Sequence, residues 1–262
     1  MRAVSRVTGV ARNTIDKLLC GLGDACAEYQ DGVLRNLPCS VLEADEIWEF
    51  CYAKQKNVPE QFQGTFGYGD VWTWVAIDAD TRLIPSWLVG ERTVADAYTF
   101  LADLRSRLRN ARIQLTTDGL RHYLTVVDGL WADNIDFAML HKVYGNTETD
   151  SPERSYSPAT CTGTDIRVMA GDPDLNRIST SYVERQNLTM RMGMRRFTRL
   201  TNAFSKKVEN HAASVSLHMM HYNFGRPHQT LSKRFGKPTT PAMAAGVADH
   251  PWSVWEIARL LD

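Results

Sequence analysis

The sequence predicts an α/β chain: a mixed sheet covered by helices on both faces, with a short helix-turn-helix ahead of it. Three observations carry that prediction. Three strand-like stretches follow one another, Val41–Tyr52, Val71–Asp80 and Arg82–Arg92. Strands and helices then alternate through "IQLTTDG", "LRHYLTVVDGLW" and "IDFAMLHKVY". Two amphipathic helical stretches, Ser179–Arg196 and Ala203–Tyr222, close the pattern.

Each element has a local reason. The second and third strands are joined by "DADTR", a tight polar turn, and should pair as a hairpin. The Gly-rich polar stretch between the first two strands reads as a long loop. Thr93 is placed to cap a helix whose apolar residues recur at Ala97, Phe100, Leu101, Leu104 and Leu108. "IQLTTDG" is a short apolar strand whose chain turns at Asp118–Gly119. From Gly145 to Asn176 the composition is polar, with Pro, Ser and Thr, and the expectation is an insertion loop, bounded here at 145–178. No internal repeat or low-complexity tract interrupts the chain.

The first 36 residues are helical in cadence. Gly9 sits at a turn, with Val4, Val7, Val10, Ile15, Leu18 and Leu19 as the expected packed side. Arg12, Asn13 and Lys17 are then left outward, residue types that meet phosphates and base edges from a recognition helix. A two-helix packing arm is the alternative. The expected organisation is a helical segment at 1–36, an α/β core at 37–246 and a C-terminal tail at 247–262.

Composition bounds the function. The chain has 262 residues, 44% of them hydrophobic, and seven Trp, enough for a sizeable core. No apolar run reaches membrane-spanning length and no secretion-signal pattern opens the sequence, so a cytoplasmic protein is expected. Five irregularly spaced cysteines without a C-x-x-C pair argue against a disulfide framework and a structural zinc site. His218 and His221 read as packing or capping residues for the same reason. Net charge is zero, but Ile178 to Thr240 holds eleven Lys and Arg against two acids, a local +9. Such asymmetry points to a polyanion-binding surface, with a solvated helix face as the bland alternative.

"VLEADEIWEFC" sets four carboxylates in a strand. Alternation puts Asp45 on one face with Glu43, Ile47, Glu49 and Cys51, and Glu46 on the other with Ala44, Trp48 and Phe50. Asp45, at the strand's centre, is expected to be the least solvated of them and the most in need of a partner. Asp118 lies at a strand's C-terminal end, where sites are built in such folds. Carboxylates converging without basic partners call for a divalent cation, and oxygen-only ligation favours magnesium or manganese. The bland readings are a paired strand residue and a turn former.

Four stretches carry a resemblance. "EADEIWEF", "LTTDG", "YVERQNLTMR" and "HYNFGRPHQTL" with "TPAMAAG" resemble a DDE transposase of a bacterial insertion sequence, of the small family whose first Asp is followed by Glu-x-Trp, here Asp45, Glu46 and Trp48. The resemblance runs from about residue 1 to 246. It implies a ribonuclease-H-like catalytic domain, with Asp45, Asp118 and Glu184 as catalytic carboxylates and metal ligands. It also implies two Mg2+ or Mn2+ ions about 4 Å apart, which clamp a scissile phosphate for in-line displacement. Double-stranded DNA, as inverted-repeat ends and target, is the implied partner, bound by a homodimer or higher oligomer. Arg191, seven residues after Glu184 on the same helix face, would meet a phosphate, and Arg185, Asn187, Arg195, Arg196, Arg226 and His228 join it as DNA-binding candidates. A decayed DNA-binding protein and a nuclease that cuts without joining are the rival readings. Sixty-five residues lie between Asp118 and Glu184, more than in many relatives. The cysteine zinc-binding module that often precedes the helix-turn-helix in relatives is not seen, and a truncated copy is compatible with that.

Overall fold

The computed structural model describes residues 2–145, 161–198 and 202–262. A six-stranded mixed sheet organises them, in the order β3-β2-β1-β4-β5-β6. The strands are β1 (Val41–Cys51), β2 (Gly69–Asp78), β3 (Ser86–Gly90), β4 (Gln114–Thr117), β5 (Asp136–Tyr144) and β6 (Cys161–Ala170). Strands β1, β2 and β3 pair antiparallel, β1, β4 and β5 pair parallel, and β6 pairs antiparallel with β5. The hairpin between β2 and β3 forms as its sequence implies: Asp78 Oδ2 accepts the N–H and hydroxyl of Thr81 at 2.8 and 2.7 Å.

Helices α3 (Val94–Arg107) and α4 (His122–Trp131) cover one face, α5 (Ser181–Gly193) and α6 (Val208–Met220) the other. Thr93 caps α3 through its hydroxyl, which accepts the Asp96 N–H at 3.1 Å. Leu42, Ala44, Trp74 and Ala76 form one core with Phe100, Leu101 and Tyr123. Ile47, Val75 and Ile77 form the other with Val183, Met190, Val215 and Met219. The period-2 alternation of β1 and β2 is what separates these two cores. A π turn at His221–Gly225 ends α6, followed by the short helices α7 (Gln229–Phe235), α8 (Pro241–Ala244) and α9 (Val254–Ala258).

Two expectations are corrected. The stretch 145–178 is not simply a loop, because Cys161–Ala170 forms β6. Its first half is polar, and its apolar residues Ile166, Val168 and Met169 come late and are exposed on an edge, so the alternation is too short to mark a half-buried strand. The remainder of that stretch at 146–160 lies outside the described residues. At the N-terminus, α1 (Arg2–Thr8) and α2 (Arg12–Val33) meet at Gly9, but the expected packed side is solvent-facing: Val4, Val7, Val10 and Leu18 are exposed. Helix α2 continues to Val33 and buries Gly23, Cys26 and Gln30 instead. A Cβ at Gly23 would fall 2.5 Å from Ala213, so glycine here is what lets α2 lie directly on α6. The apolar residues of the first turns suggested a self-contained pair, whereas the packing face begins ten residues later.

Candidate metal centre and nucleic-acid interface

The four carboxylates of β1 have four different environments. Glu43, 1% exposed, accepts the backbone N–H groups of Tyr182 and Val183 at 2.7 and 3.0 Å through Oε2. It thereby supplies the N-terminal cap that Thr180 does not give α5. Burial raises its pKa to about 7 despite those donors. Glu49, also 1% exposed, accepts from Thr73 at 2.8 Å and pairs with His211 Nε2 at 2.9 Å. His211 Nδ1 in turn meets the Ser205 hydroxyl at 3.1 Å, so a buried Ser–His–Glu chain ties α6 to the sheet.

Asp45 is half-buried, contrary to the expectation that it is the least solvated of the four. Its Oδ1 accepts the Glu46 N–H at 2.8 Å and its Oδ2 accepts Asn187 Nδ2 at 2.8 Å. Burial, then the charges of Asp118 and Glu184, raise its pKa to about 7. Asp118 follows Thr117, the last β4 residue, which lies opposite Ala44. The next step along each strand therefore brings Asp118 beside Asp45. An Asx turn fixes Asp118, with Oδ1 accepting the Leu120 N–H at 3.0 Å. Gly119 leaves room for the His141 ring, which would lie 2.2 Å from any added Cβ.

Glu46 completes the cluster from the opposite face. Ligand oxygens of Asp45, Glu46 and Asp118 all lie within 4.8 Å of one another. This is possible because β4 pairs with β1 only as far as Ala44. Beyond that point the edge of β1 is open, and side chains from both faces reach Asp118. Glu46 is 7% exposed and neither of its oxygens has a hydrogen bond. Arg92 Nη2, at 3.5 Å, is an ion-pair neighbour rather than a donor. Burial, then Asp118 and Asp45, raise the Glu46 pKa to about 8. The Tyr123 hydroxyl, buried and without a partner, has its pKa raised by burial and then by Glu46, Asp45 and Asp118.

Glu184 stands beside this cluster rather than in it. Its Oε2 is ion-paired with Lys142 Nζ of β5, and its Oε1 accepts the Thr180 hydroxyl at 2.7 Å. Its charge adds to the rise of the Asp45 pKa, after burial and the charge of Asp118. Asn187, expected among the DNA-binding residues, is 8% exposed and holds Asp45 from inside the protein. Glu46, Lys142 and the Asn187–Asp45 bond are the parts that sequence reasoning missed. The Asp45-Glu46-x-Trp48 pattern was the one signal for Glu46, and strict strand alternation argued against using it.

The expected DNA-contacting residues divide by environment. Arg12, Asn13, Arg195 and Arg196 line one groove of about 960 Å³ between α2, the end of α5 and α6. Arg12, Asn13, Lys17 and Arg195 are exposed, as are Arg185 and Arg226. Arg196 turns inward, donating to the Ser205 hydroxyl at 2.8 Å and the Asn210 carbonyl at 3.4 Å. Arg191 donates to the Phe197 carbonyl at 3.1 Å. His228 is half-buried. No helix among the described residues is long and apolar enough to cross a membrane.

No family model matches the sequence, and no curated protein matches it. Among solved structures, the chain is similar to a piggyBac transposase in a cryo-EM structure of its synaptic complex with hairpin DNA, at 10% identity and a TM-score of 0.32. The match covers 80% of this chain and 51% of that one, so this chain spans about half the length of the transposase it resembles. A likeness of that size carries no argument about activity.

Proposed function

We propose that the protein is a metal-dependent DNA transposase built on a ribonuclease-H-like core, with Asp45, Asp118 and Glu184 as its catalytic carboxylates. The observation that carries this reading is the convergence of Asp45, Glu46 and Asp118 oxygens within 4.8 Å, with both Glu46 oxygens buried and without a hydrogen bond. Charges held so close repel one another unless a cation lies between them. An all-oxygen donor set fits magnesium or manganese. Such cations, when bound, polarise a phosphodiester and activate water or a 3′-hydroxyl.

The chain's own residues do the rest. Asp45, Asp118 and Glu46 are the residues that would hold the cation. Asn187 fixes the rotamer of Asp45, and Glu43 fixes the start of α5, so the helix holds Glu184 beside that cluster. Lys142 neutralises Glu184 through their ion pair. Arg12, Asn13 and Arg195 offer an exposed basic groove for duplex DNA.

The Lys142–Glu184 ion pair is also the observation that favours a second reading, a DNA-binding protein of this fold without catalysis. One experiment separates the two. The protein is incubated with magnesium and a duplex carrying the inverted repeats that flank its coding sequence, and 3′-end nicking is followed. Nicking that disappears in Asp45→Asn and in Glu184→Gln supports the transposase. Binding without nicking supports the second reading. Strand transfer from pre-cleaved ends then distinguishes a transposase from a nuclease.

A further inference from the structure

Helix α5 has a second functional edge. At 100° per residue, Glu184, Asn187 and Arg191 share one side, while Tyr182, Arg185, Gln186 and Thr189 share the side opposite. That opposite edge walls a pocket of about 420 Å³, closed by Arg82 from the turn between β2 and β3 and by Arg226 and His228 after α6. Its floor is the buried Tyr222, Ile77 and Gln186. Three arginines and a histidine line it, and among the described residues no aspartate or glutamate does.

Two groups in this pocket, Arg82 and His228, are built in, while Arg185 and Arg226 are exposed at its rim. Arg82 adopts a φ of 62°, uncommon for a residue with a side chain. Its guanidinium lies 3.4 Å over the Tyr182 ring. The Arg82 Nη1 atom is buried and has no hydrogen-bond partner, and neither does the buried His228 Nδ1. A buried donor without a partner is costly, which is the signature of a site whose ligand completes it. Of the nearby acids, Asp80 is already paired with Arg177 at 2.6 Å, and Glu43, whose charge Arg82 favours, is already bound to the Tyr182 and Val183 N–H groups. Burial, with Arg82 and Arg226 beside it, holds the His228 pKa below its usual range, so at neutral pH this ring is an uncharged hydrogen-bonding group.

We infer that this pocket is a phosphate-binding site, distinct from the carboxylate cluster, that takes a phosphodiester of a DNA strand running across α5. The ligand chemistry is a phosphate ester: Arg82 and Arg226 supply charge-assisted donors, and the stacked Arg82–Tyr182 pair offers a face to an adjoining sugar or base. The inference deepens the DNA-binding reading proposed above by giving the strand an anchor away from the metal site. The same chemistry could come from a free mononucleotide, and the test separates these sources.

The test uses the full chain in EDTA, so that the carboxylate cluster takes no part. Fluorescence anisotropy follows binding of a labelled ten-nucleotide oligothymidylate, with thymidine monophosphate as competitor. Exposed Arg226, as Arg226→Ala, is the primary variant. Arg82→Ala is the second, and its fold is checked by circular dichroism because Arg82 sits in a strained turn. Arg195→Ala, in the other groove, is the control. The expected result is a loss of about tenfold or more in oligonucleotide affinity for Arg226→Ala at fixed salt, larger than the loss for Arg195→Ala. Competition by the mononucleotide, lost in the same variant, identifies a nucleotide site; oligonucleotide binding without that competition identifies a strand-backbone site. Unchanged affinity in Arg226→Ala overturns the proposal. Because no metal or cleavage is involved, failure of the catalytic reading would appear separately, as wild-type protein that binds but does not nick.

Discussion

Asn187 donates to Asp45 at 2.8 Å across the gap between helix α5 and strand β1. With Glu43 capping the same helix from the same strand, the element that carries Glu184 is pinned at two points to the element that carries Asp45. The site's geometry is thus set by hydrogen bonds between helix and strand, and its energetics by repulsion within the carboxylate cluster.

Burial of these carboxylates, joined at Asp45 and Glu46 by their mutual repulsion, predicts a pH dependence. Glu43 and Asp45 are raised to about 7 and Glu46 to about 8, so the folded protein retains protons that the unfolded chain has released. Stability therefore falls as pH rises from the ordinary carboxylate range to about 8. In EDTA the melting temperature should drop between pH about 5 and about 8, and Asp45→Asn should flatten part of that slope. Manganese at a hundredfold its Kd should return about 2.7 kcal/mol at the alkaline end. A melting temperature that rises with pH in EDTA would show that these carboxylates are not the charged cluster described.

Glu46→Gln separates stability from cation binding. Removing a buried carboxylate that has no hydrogen bond and only Arg92 as a distant ion-pair neighbour should raise the metal-free melting temperature, while the affinity for manganese, read by calorimetry, falls at least about tenfold. If manganese binds the variant as tightly as the wild type, Glu46 takes no part in the centre.

His211→Ala breaks the buried chain from Ser205 to Glu49 and leaves a carboxylate without its main partner. The expected loss is about 3–5 kcal/mol, seen as a lower urea midpoint. A loss below about 1 kcal/mol would mean that Thr73 alone satisfies Glu49.

DNA binding should divide the arginines by exposure. Arg12→Gln and Arg195→Gln should each reduce the log–log salt slope of duplex binding by roughly 0.9. Arg196→Gln should instead lower thermal stability, because its guanidinium is bound to Ser205 and Asn210 within the protein. A salt titration with each variant reads both effects, and slopes unchanged by the first two would return the groove to a solvated face.

Much of the fold was legible in the sequence because its signals are local. The alternation of Val41–Cys51 separated the Glu43, Asp45, Glu49 face from the Glu46 face, and the structure keeps that division. The Asp78 turn and the Thr93 cap are likewise written in adjacent residues. Strand β6 was missed because an exposed edge strand needs no apolar period, only a partner strand to complete its hydrogen bonds. Which carboxylates meet was decided by tertiary structure alone. It depends on where β4 stops pairing with β1, which lets Glu46 reach across to Asp118 although alternation points it away. It also depends on Lys142, 42 residues from Glu184 in sequence, which becomes its ion-pair partner only when β5 and α5 come together. Periodicity records which face of an element is buried, but the distance between two side chains on different elements is fixed only by how those elements pack.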